Sequence, residues 1–345
     1  MHRKSFLGSI FSALAIHPLF GQPAFDNNVF VQEETASGIR PPYLQAGDVI
    51  GITAPAGYIS MDDIQSAVNK IREWGFKVKV GSNIGKRDFT FGGTDEERRD
   101  DLQQMLDDTS VKAILCARGG YGIVRIIDQL DFTHFKKHPK WIIGFSDVTI
   151  LHSHIHKHFG IASLHAKMCN SFPAEWSLAE PEQKKSIESI YECLSGKILR
   201  YEFAPNMDNK KGTATGTLIG GNLSIITSLS GTSSDISTKN KILFLEETHE
   251  YLYSIDRMFW NLKRTGKLNH LKALIIGGFN IKKDDEGEEF GKTLEQIVLE
   301  KTAEYNYPVC FGFPVGHQKF NVALKCGMIH TLCVNEHSVE LIAEE

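Results

Sequence analysis

Short apolar runs alternate with helix-like patterns through the first half of the chain. Each apolar run is followed by glycine, serine, proline or a charged residue, as expected where a buried strand ends in a loop. The predicted strands are 48–55, 77–80, 113–117 and 141–145. The predicted helices, marked by apolar residues every three or four positions or by a capping residue, are 61–74, 94–106, 123–130 and 147–159. This alternation predicts a layered α/β domain with a mostly parallel sheet.

The second half of the chain is richer in strands. Strands are predicted at 213–219, 241–245, 271–277, 309–313, 331–334 and 339–342, the last two as a hairpin. Helices are predicted at 174–196 and 255–262, and Gly220-Gly221-Asn222 is interpreted as a tight turn. We therefore predict an N-terminal α/β domain at 41–172, a linker region at 173–212 and a smaller, β-rich C-terminal α/β domain at 213–345.

The first residues have the pattern of an export signal. His2-Arg3-Lys4 is basic, 6–20 is mostly apolar, and Gly21 is a small residue suited to cleavage. The apolar run is too short for a membrane span and is interrupted by His17 and Pro18. We predict a signal peptide at 1–21, a tether at 22–40, no stable membrane anchor and a periplasmic location. The alternative is an apolar helix retained in a cytoplasmic protein.

Composition excludes several classes of function. The 345 residues are 41% hydrophobic and carry a net charge of −4, with acidic and basic residues interspersed. The sequence contains no basic patch of the kind that would indicate a nucleic-acid partner. The six cysteines match neither a zinc-binding spacing nor a compact disulfide framework, and Cys116 and Cys310 lie in apolar runs, where they are expected to pack as small hydrophobic residues.

Ser146 stands between a predicted buried strand and a predicted helix. A serine at such a turn exposes its hydroxyl at the edge of the sheet, as the nucleophile of a hydrolase does, although Val148 replaces the second glycine of the G-x-S-x-G pattern. The Asp147 N–H would then face a developing oxyanion. The alternative, which the local pattern by itself favours, is that Ser146 only caps the helix.

The loop Arg118-Gly119-Gly120-Tyr121-Gly122 follows the neighbouring strand. Its glycines allow close approach of the backbone and present N–H donors. The sequence lacks the G-K-[ST] and G-x-G-x-x-G patterns of nucleotide-binding loops. Because the carboxyl ends of parallel strands lie side by side, we expect Gly119 and Gly120 to form an oxyanion hole beside Ser146.

A serine nucleophile needs a base and an orienting acid. A dense run of histidines, His152, His154, His156, His158 and His165, is interpreted as a solvated helix face and not a metal site, because no nearby carboxylate completes a ligand set. His317 differs, since it lies in a Gly/Pro loop after a predicted strand, and Glu246 ends another predicted strand.

Taken together, these residues resemble the LD-carboxypeptidase family of serine peptidases, which act on peptidoglycan tetrapeptides. The resemblance extends from about Pro42 to Ala343. The segments that carry it are 91–98, 117–122, 143–147, 216–223, 243–247, 253–258 and 316–317. One departure is His165-Ala166-Lys167-Met168, where the family often has His-Gly-Pro.

The resemblance implies a two-domain fold with the site at the domain junction and a triad of Ser146, Glu246 and His317. Glu247 is the rival for the acid. It also implies an oxyanion hole of the Asp147 N–H with Gly119 or Gly120, no cofactor or metal, and a homodimer. The implied substrate is a peptidoglycan-derived tetrapeptide, cleaved before its terminal D-alanine, and Arg118 is a candidate partner for the terminal carboxylate.

Other functions remain open at this point. The resemblance also covers immunity hydrolases that cleave peptidyl-nucleotide antibiotics with the same triad. A catalytically silent wall-binding protein is a second alternative, against which the intact triad argues. An amidotransferase-like role would need a cysteine at the position of Ser146.

Overall fold

A computed structural model describes residues 38–344. The predicted signal peptide and residues 22–37 of the predicted tether lie outside the described residues, so export stays a prediction. Across 38–344, no helix is both long enough and apolar enough to cross a membrane. All six cysteines are unpaired thiols. Cys116 and Cys310 are fully buried among apolar side chains, which confirms that they pack as small hydrophobic residues.

The first of two sheets contains six strands and is parallel except at one edge. In spatial order its strands are β11 (Leu324–Cys326), β5 (Ser163–His165), β4 (Trp141–Gly144), β3 (Val111–Cys116), β1 (Val49–Thr53) and β2 (Lys77–Val80). The helices of this part of the chain are α1 (Met61–Glu73), α2 (Asp95–Asp107), α3 (Thr133–Lys137), α4 (Thr149–Phe159) and α5 (Pro181–Leu194).

Helices cover both faces of this sheet. The side chains of α1 and α5 pack on one face with alternate strand residues such as Leu115 and Ile143, and α2, α3 and α4 pack on the other with Ile114 and Ile142. Because both faces are buried, the central strands β1, β3 and β4 read as largely apolar runs, whereas the exposed edge strand β2 alternates. The predicted mostly parallel, layered α/β architecture is confirmed.

The second sheet has seven strands. In spatial order they are β10 (Val309–Gly316), β9 (Ala273–Ile281), β8 (Lys241–Glu250), β7 (Gly212–Asn222), β12 (Ile329–Val334), β13 (Val339–Ala343) and β6 (Arg200–Phe203). The first four are parallel and the remaining pairings are antiparallel, including the predicted β12–β13 hairpin. Its helices are α6 (Leu223–Ser228), α7 (Leu252–Arg264) and α8 (Leu294–Thr302), which pack together on one face.

The two sheets are joined by close contacts near the beginning of α4. The hydroxyl of Thr149 accepts a hydrogen bond from the N–H of Asn222 (3.1 Å), at the end of β7. A Cβ at Gly221 would lie 2.4 Å from the Thr149 hydroxyl oxygen, closer than real Cβ atoms approach. Glycine therefore allows the end of β7 to reach the helix that follows Ser146. In addition, β11, from the second half of the chain, completes the edge of the first sheet.

Three local predictions were wrong. The segment predicted as a helix at 123–130 forms two 3₁₀ turns, Ile123–Arg125 and Ile127–Gln129, because its apolar residues also recur at the spacing of three that suits a 3₁₀ turn. Gly220-Gly221-Asn222 is the end of β7 and not a turn. Gly220 and Gly221 are required there because an added Cβ would collide with Phe244 and Thr149, respectively.

Glu246 does not end its strand, since β8 continues to Glu250. The pairing with β9 shifts between Leu245 and Glu247, so Glu246 lies at a bulge. Bulges redirect side chains and are frequent beside active sites. The predicted linker region contains α5 and β6, and the predicted domain boundaries stay a prediction.

We expect Gly221→Ala to destabilise the protein by roughly 3 kcal/mol or more, because it combines a φ of +143° with a collision at Thr149. Gly231→Ala is the matched control, since its φ is +79° but no atom lies within 4 Å of the added Cβ. It should cost about 1 kcal/mol. Urea unfolding measures both free energies, and equal losses would contradict the close-contact argument.

Candidate active site

Ser146 has a backbone conformation that is unusual for a residue other than glycine. β4 ends at Gly144, Phe145 follows, and Ser146 begins a 3₁₀ turn that leads into α4. The φ of Ser146 is +63°. Such a conformation costs about 1 kcal/mol or more and persists only where the surroundings enforce it. The cap positions of the turn and the helix are Phe145 and Val148, and neither has a side-chain capping bond. The alternative that Ser146 is only an N-cap is therefore wrong.

The backbone of the glycine loop lies against this serine. A Cβ at Gly119 would lie 2.9 Å from Ser146 Cβ and 3.1 Å from Ser146 Oγ, so only glycine fits there without displacement. The carbonyl of Gly119 accepts a hydrogen bond from the Gly57 N–H (3.0 Å). Gly120 is exposed, with a φ of +109°. Among residues 38–344, none accepts a hydrogen bond from the backbone N–H of Gly120 or of Asp147.

Asp147 ties the glycine loop to the serine turn through its buried side chain. Its Oδ2 accepts a hydrogen bond from the Ile123 N–H (2.8 Å), immediately after Gly122. Burial raises the pKa of Asp147 to about 6, although the Ile123 hydrogen bond and the Arg98 charge act in the opposite direction. The side chain thus anchors the loop, while the main-chain N–H is left for another acceptor.

Arg98 is a buried residue that the sequence analysis did not identify. Its Nη1 donates to the carbonyls of Pro55 (2.7 Å) and Gly122 (2.9 Å), and its Nη2 pairs with Asp95. Arg98 therefore fixes the end of the glycine loop against the loop that follows β1. An arginine in a polar, charged helix gives no sequence signal of such burial.

The carboxylate of Glu246 contacts the imidazole of His317. Glu246 is fully buried, and its Oε2 accepts hydrogen bonds from the His317 Nδ1 (2.5 Å) and from the His317 backbone N–H (3.1 Å). The Nδ1 contact leaves Nε2 of the ring as the free nitrogen. The His317 side chain is 21% exposed and lines a cleft described below.

Glu247 has different partners. Its carboxylate accepts hydrogen bonds from the Asn222 side chain (3.0 Å) and from the backbone N–H groups of Ser224 (2.7 Å) and Thr248 (2.8 Å). Burial raises the pKa of Glu247 above its usual range. Among these neighbouring acids, Glu246 is the one in contact with His317, and Glu247 stabilises the beginning of α6.

Phe145 connects the two halves of the site. Its ring centroid lies 4.8 Å from that of His317, and the next residue along the chain is Ser146. The structure thus brings Gly119 against Ser146, Glu246 against His317, and His317 against the strand end that carries Ser146.

Next to His317 is a cleft of about 670 Å³. The side chains that line it are Phe145, Lys167, Ser171, Glu180, Gln183, Thr248, His249, Asn280, His317, Gln318 and Lys319. Arg118 is not among them, and its guanidinium donates to the Tyr58 carbonyl (2.8 Å) instead. Of the lining residues, the sequence analysis placed only His317 at the site. Lys167 was noted as a departure from the family pattern.

The histidine run is less exposed than predicted. His152 and His165 are buried, because α4 and β5 pack inside the molecule, so the interpretation of these two as part of a solvated face was wrong. His152 bonds Ser163 Oγ (2.8 Å) and the Gly144 carbonyl (2.9 Å), which supports the end of β4. Within the described range 38–344, no group of three or more His, Cys, Asp or Glu side chains is arranged to hold a metal ion.

Comparison with known proteins agrees with the resemblance found in the sequence. Residues 50–166 match the family model of the LD-carboxypeptidase N-terminal domain, and residues 215–332 match that of the C-terminal domain. A probable murein peptide carboxypeptidase of Bacillus subtilis (strain 168) is 34% identical over 288 residues, which cover 84% of this chain and 89% of the relative.

Solved structures agree as well. A muramoyltetrapeptide carboxypeptidase from Oxalobacter formigenes is 28% identical, with a TM-score of 0.77 over 86% of this chain and 99% of the other. The microcin C7 self-immunity protein MccF, solved with aspartyl sulfamoyl adenosine, is 22% identical, with a TM-score of 0.77 over 89% of this chain and 98% of the other. The second similarity shows a shared fold only.

Asp147→Asn should stabilise the protein at neutral pH relative to its effect near pH 4. Well below pH 3.8 the carboxyl is protonated in both states, and between about 3.8 and 6 only the unfolded state loses the proton, so the wild type loses stability as the pH rises through this range. The free energy of unfolding of the variant minus that of the wild type should therefore grow by roughly 2–3 kcal/mol between pH 4 and 7. Urea unfolding across this range measures it.

Asp63→Asn is the control of opposite sign. Hydrogen bonds from Ser60 hold the pKa of Asp63 below its usual value of 3.8, so this variant should lose stability relative to the wild type as the pH rises through the range below 3.8, and change little between pH 4 and 7. A difference for Asp147→Asn that does not change with pH would contradict the assigned burial effect.

Proposed function

The chain belongs to the LD-carboxypeptidase family and is a serine carboxypeptidase, and we propose that it removes the terminal D-alanine from peptidoglycan-derived tetrapeptides with Ser146 as nucleophile. The observation that carries the proposal is the buried Glu246 carboxylate bonded to His317 (2.5 Å), beside the strand end that presents Ser146. The names of the murein peptide and muramoyltetrapeptide carboxypeptidases similar to this chain support the substrate class.

In the proposed mechanism, His317 is the base and Glu246 holds it. The Nδ1–H bond to Glu246 fixes the ring and stabilises its positive charge, so Nε2 accepts the proton of the Ser146 hydroxyl. Ser146 Oγ bonds to the scissile carbonyl carbon. The C–N bond then breaks as His317 returns the proton to the nitrogen of D-alanine. Water attacks the resulting ester with the help of the same base, releasing the tripeptide and free Ser146.

The negative oxygen of the intermediate needs donors that are already in place. We assign this role to the Asp147 N–H and an N–H of the Gly119-Gly120 loop. The close approach of Gly119 to Ser146 supports the assignment, as do the uncommitted N–H groups of Asp147 and Gly120 within residues 38–344. Each such donor contributes about 3–4 kcal/mol to stabilisation of the transition state.

The cleft beside His317 suits a peptide end. Its volume of about 670 Å³ falls within the usual range for small-ligand sites. Most of its lining residues are of polar or charged types, and the two lysines Lys167 and Lys319 outnumber the single carboxylate of Glu180. This excess of basic groups favours a substrate that carries carboxylates, as a peptide terminus does. Export to the periplasm and a homodimer stay predictions from the sequence.

Ser146→Ala should abolish turnover without loss of folding, because the bond-forming oxygen is removed while the turn is retained. The measurement is mass spectrometry of residues 22–345 incubated with a disaccharide tetrapeptide, with unfolding midpoints as the control. The wild type is expected to remove one alanine and the variant none. Turnover by the folded variant would exclude this nucleophile. A folded but inactive wild type would instead favour other peptide conjugates, such as peptidyl nucleotides.

Glu246→Gln and Glu247→Gln form a matched pair of adjacent, isosteric changes. Glu246→Gln should lower kcat by roughly 10³- to 10⁴-fold, because the neutral amide does not stabilise protonated His317. Glu247→Gln should change kcat less than about threefold and lower the free energy of unfolding by about 1 kcal/mol, because its hydrogen bonds hold α6. The reverse pattern in steady-state kinetics would assign the acid to Glu247.

A further inference from the structure

The proposed triad does not explain how the enzyme would recognise the free carboxyl end of its peptide substrate. The leaving nitrogen takes its proton from His317, and the free carboxylate is attached one carbon away from that nitrogen. Standard bond lengths place the carboxylate oxygens roughly 3 Å from it. A cation that recognises the terminus must therefore lie immediately beside His317.

Lys167 occupies that position. It follows β5 by two residues, and its Nζ donates to the carbonyl of Gln318 (2.7 Å), the residue after His317. The same Nζ lies 5.7 Å from the ring centroid of Phe145, which also contacts His317. Lys167 and His317 both line the cleft.

The ammonium of Lys167 retains free donor capacity. It has three N–H bonds, and among residues 38–344 the Gln318 carbonyl is the one hydrogen-bond acceptor in contact with it. Burial lowers the pKa of Lys167 to about 8, while the Glu246 charge raises it. A mostly buried ammonium with unused N–H donors is stabilised strongly by an anionic acceptor. The anion supplies the hydrogen bonds that water would give to an exposed ammonium.

Arg118, the candidate from the sequence, is less well placed. Its guanidinium donates to the Tyr58 carbonyl, and it does not line the cleft. Lys319 lines the cleft but is exposed, so solvent screens its charge. The remaining charged or titratable groups in and around the cleft are Glu180, Glu246, His249 and His317.

We propose that Lys167 binds the free α-carboxylate of the D-residue that leaves, and so restricts the enzyme to chain ends. The inference rests on the proposed function, since it takes the leaving group to lie beside His317. It assigns Lys167 to substrate binding and not to proton transfer.

The test compares a tetrapeptide that ends in free D-alanine with the same peptide ending in D-alanine amide. Lys167→Met should raise KM for the acid by roughly 10- to 100-fold, the effect of one hydrogen-bonded ion pair, with kcat changed less than threefold. For the wild type, KM should be higher for the amide peptide than for the acid peptide by a similar factor. For Lys167→Met, KM should be no higher for the amide than for the acid. Lys167→Arg should recover part of the affinity.

Lys112→Met is the matched control, since Lys112 is exposed near the amino end of β3 and its Nζ bonds the Thr109 carbonyl. It removes the same charge and should leave KM unchanged. A variant Lys167→Met that binds the acid as tightly as the wild type overturns the inference. So does a loss that appears only with meso-diaminopimelate and not L-lysine as third residue, because Lys167 would then bind that side-chain carboxylate.

A wild type that cleaves neither peptide overturns the proposed function, and the inference falls with it. A wild type that cleaves both acid and amide equally well overturns the inference alone. The preference of the wild type for acid over amide should also decline above about pH 8, as Lys167 loses its proton. If Lys167→Met does not fold, the acid-to-amide preference of Lys167→Arg compared with that of the wild type tests the inference.

Discussion

The buried charge of Glu246 is the constraint on which the rest of the site depends. A carboxylate that is fully removed from water is tolerated only if it is bonded to donors, and His317 supplies two of them, from its ring and its backbone. These contacts hold the end of β10 against the bulge in β8. The imidazole is thereby fixed in one orientation, with its free nitrogen toward the cleft.

Ser146 follows a strand of the first sheet, and contacts of the neighbouring residues hold it in place. Its unusual backbone conformation is surrounded by well-anchored groups, namely the Asp147 carboxylate on the Ile123 N–H, Arg98 on the Gly122 carbonyl, and Thr149 on Asn222. None of these side chains is placed to react. Together these contacts hold the Ser146 turn, the glycine loop and the second sheet close to one another.

The cleft places the imidazole of His317, the proposed base, near the basic side chains of Lys167 and Lys319. Lys167 lies beside His317 and within electrostatic range of Glu246, in a loop where this chain departs from the usual His-Gly-Pro of its family. In its proposed role, a lysine there adds a partner for a carboxylate and leaves the proposed triad of Ser146, Glu246 and His317 unchanged. The same fold is found in relatives named as murein carboxypeptidases and in a protein named as a microcin self-immunity protein, so the fold alone does not determine the substrate.

The sequence by itself determined the local elements and the positions that carry the family resemblance. Periodicity and capping predict helices such as α2, whose Thr94–Glu97 capping box is present, and motif residues identify Ser146, Glu246 and His317. The family motif already favoured Glu246 over Glu247, and the tertiary structure places Glu246 in contact with His317. Only the tertiary structure showed that His152 and His165 are buried and that Lys167 lies beside His317. Residues 246 and 317 are 71 positions apart, so their contact forms only where β8 and the end of β10 come together in the folded chain. Sequence patterns report neighbours along one element, whereas such partners are set by packing between elements.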